Sequence, residues 1–451
     1  MAHSLRVRSD DSRWSPMSAS TDWQLAHLYR RAGFGAGPGD IARAAAVGYA
    51  ATVEQLLDSS GPDDADAVPL PDLTPAYFGP APTADQRTKI QQQSALQARQ
   101  LTLWWLDRMV ASKKPLTEKL TWLWHGLFAT SNEKVGSAQL MAQQNQFLRH
   151  NGAAGFETLV QGIFKDPATM VWLDSNTNRK GRPNENFSRE LMELFTLGIG
   201  NYTDLDVREG ARAFTGWVVD QAAVSTQLVR DRADYDTKTF LGRTGPFRGE
   251  DVVSILVHEP ASAVHVTTRL WSRLAWPVAR DDVIVGELAQ RYAADLDIKN
   301  LVRSIFLHPR FLANDARIGL LKEPVEWVVG TLRALGLTAT KMQTGSSPIL
   351  TTLGLLGQTP FYPPSVGGWP QNTYWLSTQT SLARQRFAQS AASTADLSWL
   401  DPIPTPQRLD AVAARLGIER WSNQTAAALG ATRTSGSLVA VALTSPESVL
   451  N

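Results

Sequence analysis

"GRPNENFSRELMELFTLGIGNYTDLDVREGARAFTGW" spans residues 181 to 217, and its spacing sets the reading of the whole chain. Three glutamates, one arginine and two asparagines crowd the ten residues from Asn184 to Glu193, among phenylalanines, leucines and a methionine. Asn184 behind Pro183 is a strong N-cap and Gly198 a natural stop, so the spacing predicts a helix over 185–197. At about 100° per residue, Glu185, Asn186, Arg189, Glu190 and Glu193 share one side within about 140°. Phe187, Leu191, Leu194 and Phe195 take the other side. A second helix is predicted over 204–215, opened by the capping box of Thr203 and Asp206 in "TDLD".

Helical signals continue on both sides. "TDWQLAHLYRRAGFG" begins at Thr21 or Asp22 and stops at Gly33, and another helix is predicted after Asp40 through "IARAAAVGYAATVEQLLD". Repeated prolines over 60–85 forbid a continuous helix and mark a surface excursion. A long helix follows from Gln86 to about Val110, then a break at Pro115, then "TEKLTWLWHGLFAT". β-branched residues with loose alternation over 218–241 allow a short hairpin, after which helices resume. The expected fold is mostly α: a large multi-helix domain with at most a short β-hairpin near residues 218–241. It is expected as a flexible tail over 1–20 and a single helical domain over 21–451.

The bulk composition narrows the function classes. The chain has 451 residues, 43% hydrophobic, with a formal net charge of +1, enough for a sizeable core and without the clustered cations that phosphate backbones require. Nucleic acid is therefore not an expected partner. With no cysteine, disulfides, thiolate nucleophiles and Cys-ligated metals are excluded. No apolar run has the length of a membrane span, and the first residues lack a signal-peptide core, so a cytoplasmic location is expected.

Catalytic signatures are sparse. There is no nucleophile elbow, no Ser-x-x-Lys box and no H-E-x-x-H motif. "GFGAGPGD" at 33–40 lacks the Lys-Ser/Thr ending of a phosphate loop and follows a helix, so it reads as a helix stop and turn. Glu190 and Glu193 have the i,i+3 spacing of a carboxylate metal site, but no histidine completes it, so no metal is expected and a cofactor is left undefined. His125, flanked by aromatics in "WLWHGLF", is a candidate acid or base and equally a core histidine. Asp236 and Lys238 in "YDTKTFLG" are either a charge pair laid over the helices or a turn. Trp369, on the Gly/Pro-rich loop 363–375, either lines a cleft or plugs the core.

"HLYRRAGFGA", "WHGLFATSNEKV", the run from "FKDPATM" to "ARAFTGW", "DTKTFLG", "GQTPFYPPSVGGWP" and "TSPE" together resemble the bacterial domain-of-unknown-function 1800 family, in order from about residue 24 to the end. The resemblance implies no activity. It implies a shared site at the matching positions Asn184, Glu185, Asn186, Arg189, Glu190, Glu193, Asp206, Arg212, Thr215 and Trp217. It also implies a partner protein related to sulfatases, because the two families are often encoded side by side. Many members look exported, and this chain departs from them in showing no signal.

Two functional readings follow. In the first, an enzyme or ligand-binding protein carries a polar acid and arginine pocket between helices 185–197 and 204–215. Glu185, Glu190, Glu193, His125 and Asp236 are its candidate catalytic groups; Asn184, Asn186, Arg189, Arg212, Lys238, Trp217 and Trp369 are its candidate ligand contacts. In the second, the same charges form solvated i,i+4 pairs on a non-catalytic scaffold that docks a partner.

Overall fold

Pro115 sits at the first turn of a helix, where a missing N–H is no loss, and starts Pro115–Leu127. Every residue of this helix except Thr117 is buried, because it is walled on two opposite sides. Leu120, Leu123, Trp124 and Leu127 belong to one hydrophobic core, with the helices Phe156–Lys165, Gly249–Val257, Pro260–Leu274 and Ile298–Phe306. Trp122 belongs to a second, with Ala84–Ala111, Pro324–Leu335, Thr378–Thr394 and Ser435–Thr444. The computed structural model describes residues 22–37, 39–76, 81–221 and 223–450, and the tail expected over 1–20 lies outside them.

Charges on the shared helix survive burial because each is paired. Glu118 accepts from Trp105 Nε1 at 2.9 Å, Arg149 Nε at 2.7 Å and Arg108 Nε at 3.3 Å. Lys119 pairs with Glu326, and Arg273 with Glu323. Glu323 also accepts from Gln358 Nε2 at 2.7 Å and Trp122 Nε1 at 3.2 Å. These contacts run across the seam between the two cores.

The chain is mostly α, as its periodicity predicts. The long helix runs Ala84–Ala111, set by a full capping box of Thr83 and Gln86. The described residues of the proline-rich segment before it have only the 3-10 turn Asp64–Ala67 as helix, and the segment is strapped to the long helix by Trp104 Nε1 on the Val68 carbonyl and Gln97 Nε2 on the Thr74 carbonyl. The helix predicted to run on from Asp40 is divided instead: Gly48, at φ 88, ends Asp40–Val47 and starts Tyr49–Leu57. At the supposed phosphate loop, the Gly37 N–H donates to Asp40 Oδ2 at 2.6 Å, a turn. Among the described residues no helix is long and apolar enough to cross a membrane.

The β structure among the described residues is two antiparallel hairpins. β1 Trp217–Asp220 pairs with β2 Ser225–Leu228, Trp217 opposite Leu228. β3 Lys238–Phe240 pairs with β4 Arg243–Gly245 across a two-residue turn whose central residues, Leu241 and Gly242, both have positive φ, 46° and 74°. That is the turn whose twist suits a tight hairpin, though leucine is a costly choice there. Asp206 holds it in place, its Oδ1 accepting from the Leu241 N–H at 2.7 Å.

Candidate functional site

The motif helices lie against each other. Asn184 caps the first helix by accepting from the Asn186 N–H at 3.0 Å, and the helix runs Glu185–Glu190. It then continues, where a regular helix to residue 197 is predicted, as a π-helical turn, Leu191–Thr196. Thr196 Oγ1 donates to the Leu191 carbonyl at 2.6 Å, and the Leu197 N–H donates to Met192 at 2.8 Å, both five residues back. Glu193 accepts from the Tyr202 hydroxyl at 2.8 Å beside Glu190, and Arg189 donates to Asp204 Oδ1 at 3.3 Å.

The second helix, Asp204–Ala213, begins with the predicted capping box of Thr203 and Asp206. It packs so closely on the first that a Cβ at Gly210 would collide with Ser188 Oγ. Glu185 pairs at the surface with Arg189 and Arg208, at 3.6 and 3.7 Å. Glu190 is half-buried, and burial together with neighbouring Glu193 raises its carboxyl above the ordinary value, against the pull of Arg189.

Arg212 works as a clamp on the loop over 234–238. Its Nε donates to Asp234 Oδ2 at 2.9 Å, and its Nη1 to Glu209 Oε2 at 2.8 Å. Lys238 is fully buried and donates to the Asp234 and Asp236 carbonyls at 2.7 and 2.9 Å, fastening its own loop. Burial lowers its pKa, with Asp234 opposing. Asp236 is exposed and pairs with Lys180 at 3.0 Å.

His125 and Trp369 stand elsewhere. His125 is ringed by Trp105, Trp122, Phe361 and Trp369, and its Nε2 accepts from the Phe361 N–H at 3.0 Å. Burial holds it near a pKa of about 3, so the ring is a neutral part of the aromatic core and does not meet the motif carboxylates. Trp369 stacks on Trp122 with ring centres 5.1 Å apart and plugs that core. Gly368 at φ 77 brings the loop against the Gly126 carbonyl, where a side chain would not fit. Trp217 crosses Phe164 edge-on under the Lys165 ammonium.

An opening lies ahead of the first motif helix. A cavity of about 700 Å³ is bounded by Asn176, Arg179, Arg182, Asn184, Glu185 and Arg232, among others. Its wall is a tight turn whose Arg182 N–H returns to the Arg179 carbonyl at 2.9 Å, with Gly181 at φ 79 supplying the conformation that the third residue of a type II turn needs. Asn178, wholly buried, hangs this turn: its Nδ2 donates to the Ala211 carbonyl at 2.8 Å and its Oδ1 accepts from the Asn184 N–H at 2.9 Å. Among the described residues Arg179, Arg182 and Arg232 form no ion pair, and the buried Nε of Arg232 has no hydrogen-bond partner.

Of the twelve residues expected at a site, only Asn184 and Glu185 border this cavity. Arg179, Arg182, Arg232 and Asn176 were missed. The signal for three of them was "NTNRKGRP" at 176–183, three cations in four residues around a glycine. Among the described residues no group of three or more His, Asp or Glu side chains is placed to hold a metal ion. What the pocket can do is bind negative charge, through planar guanidinium forks that match carboxylate or phosphate oxygens.

No curated protein and no solved structure matches the chain. The profile of the family described as "Protein of unknown function (DUF1800)" matches residues 27–450, and the protein belongs to that family.

Proposed function

We propose that the protein binds a multiply charged anion in the pocket bounded by Arg179, Arg182 and Arg232. One observation carries the reading: three guanidinium groups without counter-charges border one 700 Å³ opening, and one of them keeps a buried donor unused. Arg212, Arg149 and Arg108, by contrast, all end on carboxylates. Glu185, on the rim, is held back by Arg189 and Arg208 and sets an upper limit on how much negative charge enters. Glu190 and Glu193 do not border this pocket and have no part in the proposal.

Pyrophosphate, which can span more than one guanidinium, is the probe. Calorimetric titration at low ionic strength should show saturable binding that weakens with added salt. Arg182→Gln and Arg232→Gln should each lower affinity about tenfold or more, the scale of a charged hydrogen bond. Glu185→Gln should raise it modestly. Wild-type affinity in both arginine variants would end the proposal.

The scaffold reading draws on a different observation. Ile199, in the turn joining the two motif helices, and Leu205, in the first turn of the second, are 76% and 55% exposed. Docking of the sulfatase-like protein through that turn predicts co-purification on co-expression, lost in Ile199→Asp and retained in Arg182→Gln.

A further inference from the structure

A second cavity, of about 550 Å³, lies between the helices Thr378–Thr394 and Ser435–Thr444, closed at one edge by Pro446–Val449. Its size falls within the range of roughly 300–1,000 Å³ typical of small-molecule sites. Leu376, Val441, Val449 and Leu450 make its wall apolar, and no Asp or Glu is among its described lining residues. The backbone edge is fixed by an isolated bridge between Leu321 and Leu450 and by the Lys322 N–H on the Val449 carbonyl at 2.8 Å.

One cation stands among these lining residues, Arg384, and it is only 3% exposed. Its Nη1 donates to the Trp375 carbonyl at 3.0 Å, and the guanidinium lies over Trp327 at 5.8 Å. Its Nε and Nη2 have no partner. Burial lowers its pKa only to about 10, so it is charged at neutral pH. The two unused donors share one edge of the planar group, the edge that meets both oxygens of a carboxylate. A buried charge without a counter-charge is destabilising. The Trp375 carbonyl already receives the Thr380 hydroxyl at 2.8 Å.

We propose that this cavity binds a small amphiphilic monocarboxylate, its apolar body along Val441, Val449 and Leu450 and its carboxylate on the guanidinium of Arg384, which turns its sealed Nε–Nη2 edge to the cavity on binding. The site is independent of the arginine pocket at 176–185.

Decanoate, below its micelle concentration, is the probe, with decanol and acetate as controls lacking the charge and the apolar body. Calorimetry on the full chain should show one decanoate bound per molecule and much weaker binding of both controls. Arg384→Met should weaken decanoate at least about tenfold while sparing decanol, without lowering the Tm of the unliganded protein. Val441→Trp, which fills the cavity and leaves Arg384 in place, should abolish decanoate binding. The proposal is overturned by absent or multiple-site decanoate binding in the wild type, by equal affinity in either variant, or by a lower Tm for Arg384→Met, which would make the arginine purely structural.

Discussion

His265 and His125 are kept neutral by burial first, and ring nitrogens of both are already occupied. Arg280 Nη2 donates to His265 Nδ1 at 2.6 Å, so the ring proton sits on Nε2 and is donated to the Leu194 carbonyl at 2.8 Å. A second proton would displace the arginine. In His125 the Phe361 N–H occupies Nε2 in the same way. Burial first, and for His265 the charges of Arg269 and Arg280, depress both folded-state pKa values to about 3. The unfolded chain therefore takes up protons first as pH falls through about 6.5. The stability gained from neutral rings is complete above that pH and is lost toward pH of about 3, at up to about 1.4 kcal/mol per pH unit for each histidine. Urea denaturation at steps between about pH 7 and 4 should show the decline. The double variant His125→Gln, His265→Gln should flatten it. An equal slope in the variant would assign the acid sensitivity to other groups.

Between the motif helices the limiting contact is Gly210 on Ser188. Gly210→Ala places a methyl on the Ser188 hydroxyl and should cost about 1–3 kcal/mol, the scale of core overpacking. Adding Ser188→Gly should recover most of that loss, read as the shift in thermal unfolding; two additive losses would show that the clash is not the cause. At this scale the sequence was legible where local chemistry decides. The Thr203 and Asp206 capping box and the Gly198 stop, at φ 78, both follow from short-range rules. It was not legible where a non-local contact chooses between near-equal backbones. The π turn at Leu191–Thr196 leaves no mark in periodicity, which predicts a regular helix to residue 197. Arg212 matched the family pattern as a pocket residue, but its partner Asp234 lies 22 positions away and only the folded chain joins them. The arginine pocket was hidden for a similar reason, since Arg232 reaches Arg179 and Arg182 through tertiary packing.

On the scale of the molecule, two cores share one helix and a line of buried ion pairs. Lys119→Met removes a counter-charge from Glu326 at the seam, and breaking a buried pair this way costs on the order of 3 kcal/mol. The double variant Lys119→Met, Glu326→Leu should lose much less than the sum of the single losses, measured by urea denaturation. Additive losses would mean that the two side chains do not depend on each other. The mostly α architecture was readable from helical spacing along the whole chain. The division into two cores was not, because both faces of Pro115–Leu127 are apolar and a sequence does not say which neighbour covers which.

The shared helix also bears on how the chain can be cut. Proteolysis or genetic splitting on either side of residues 115–127 leaves one product with its interior unsealed and the other with a naked apolar rod. Such fragments should be recovered in folded form only when they are produced together.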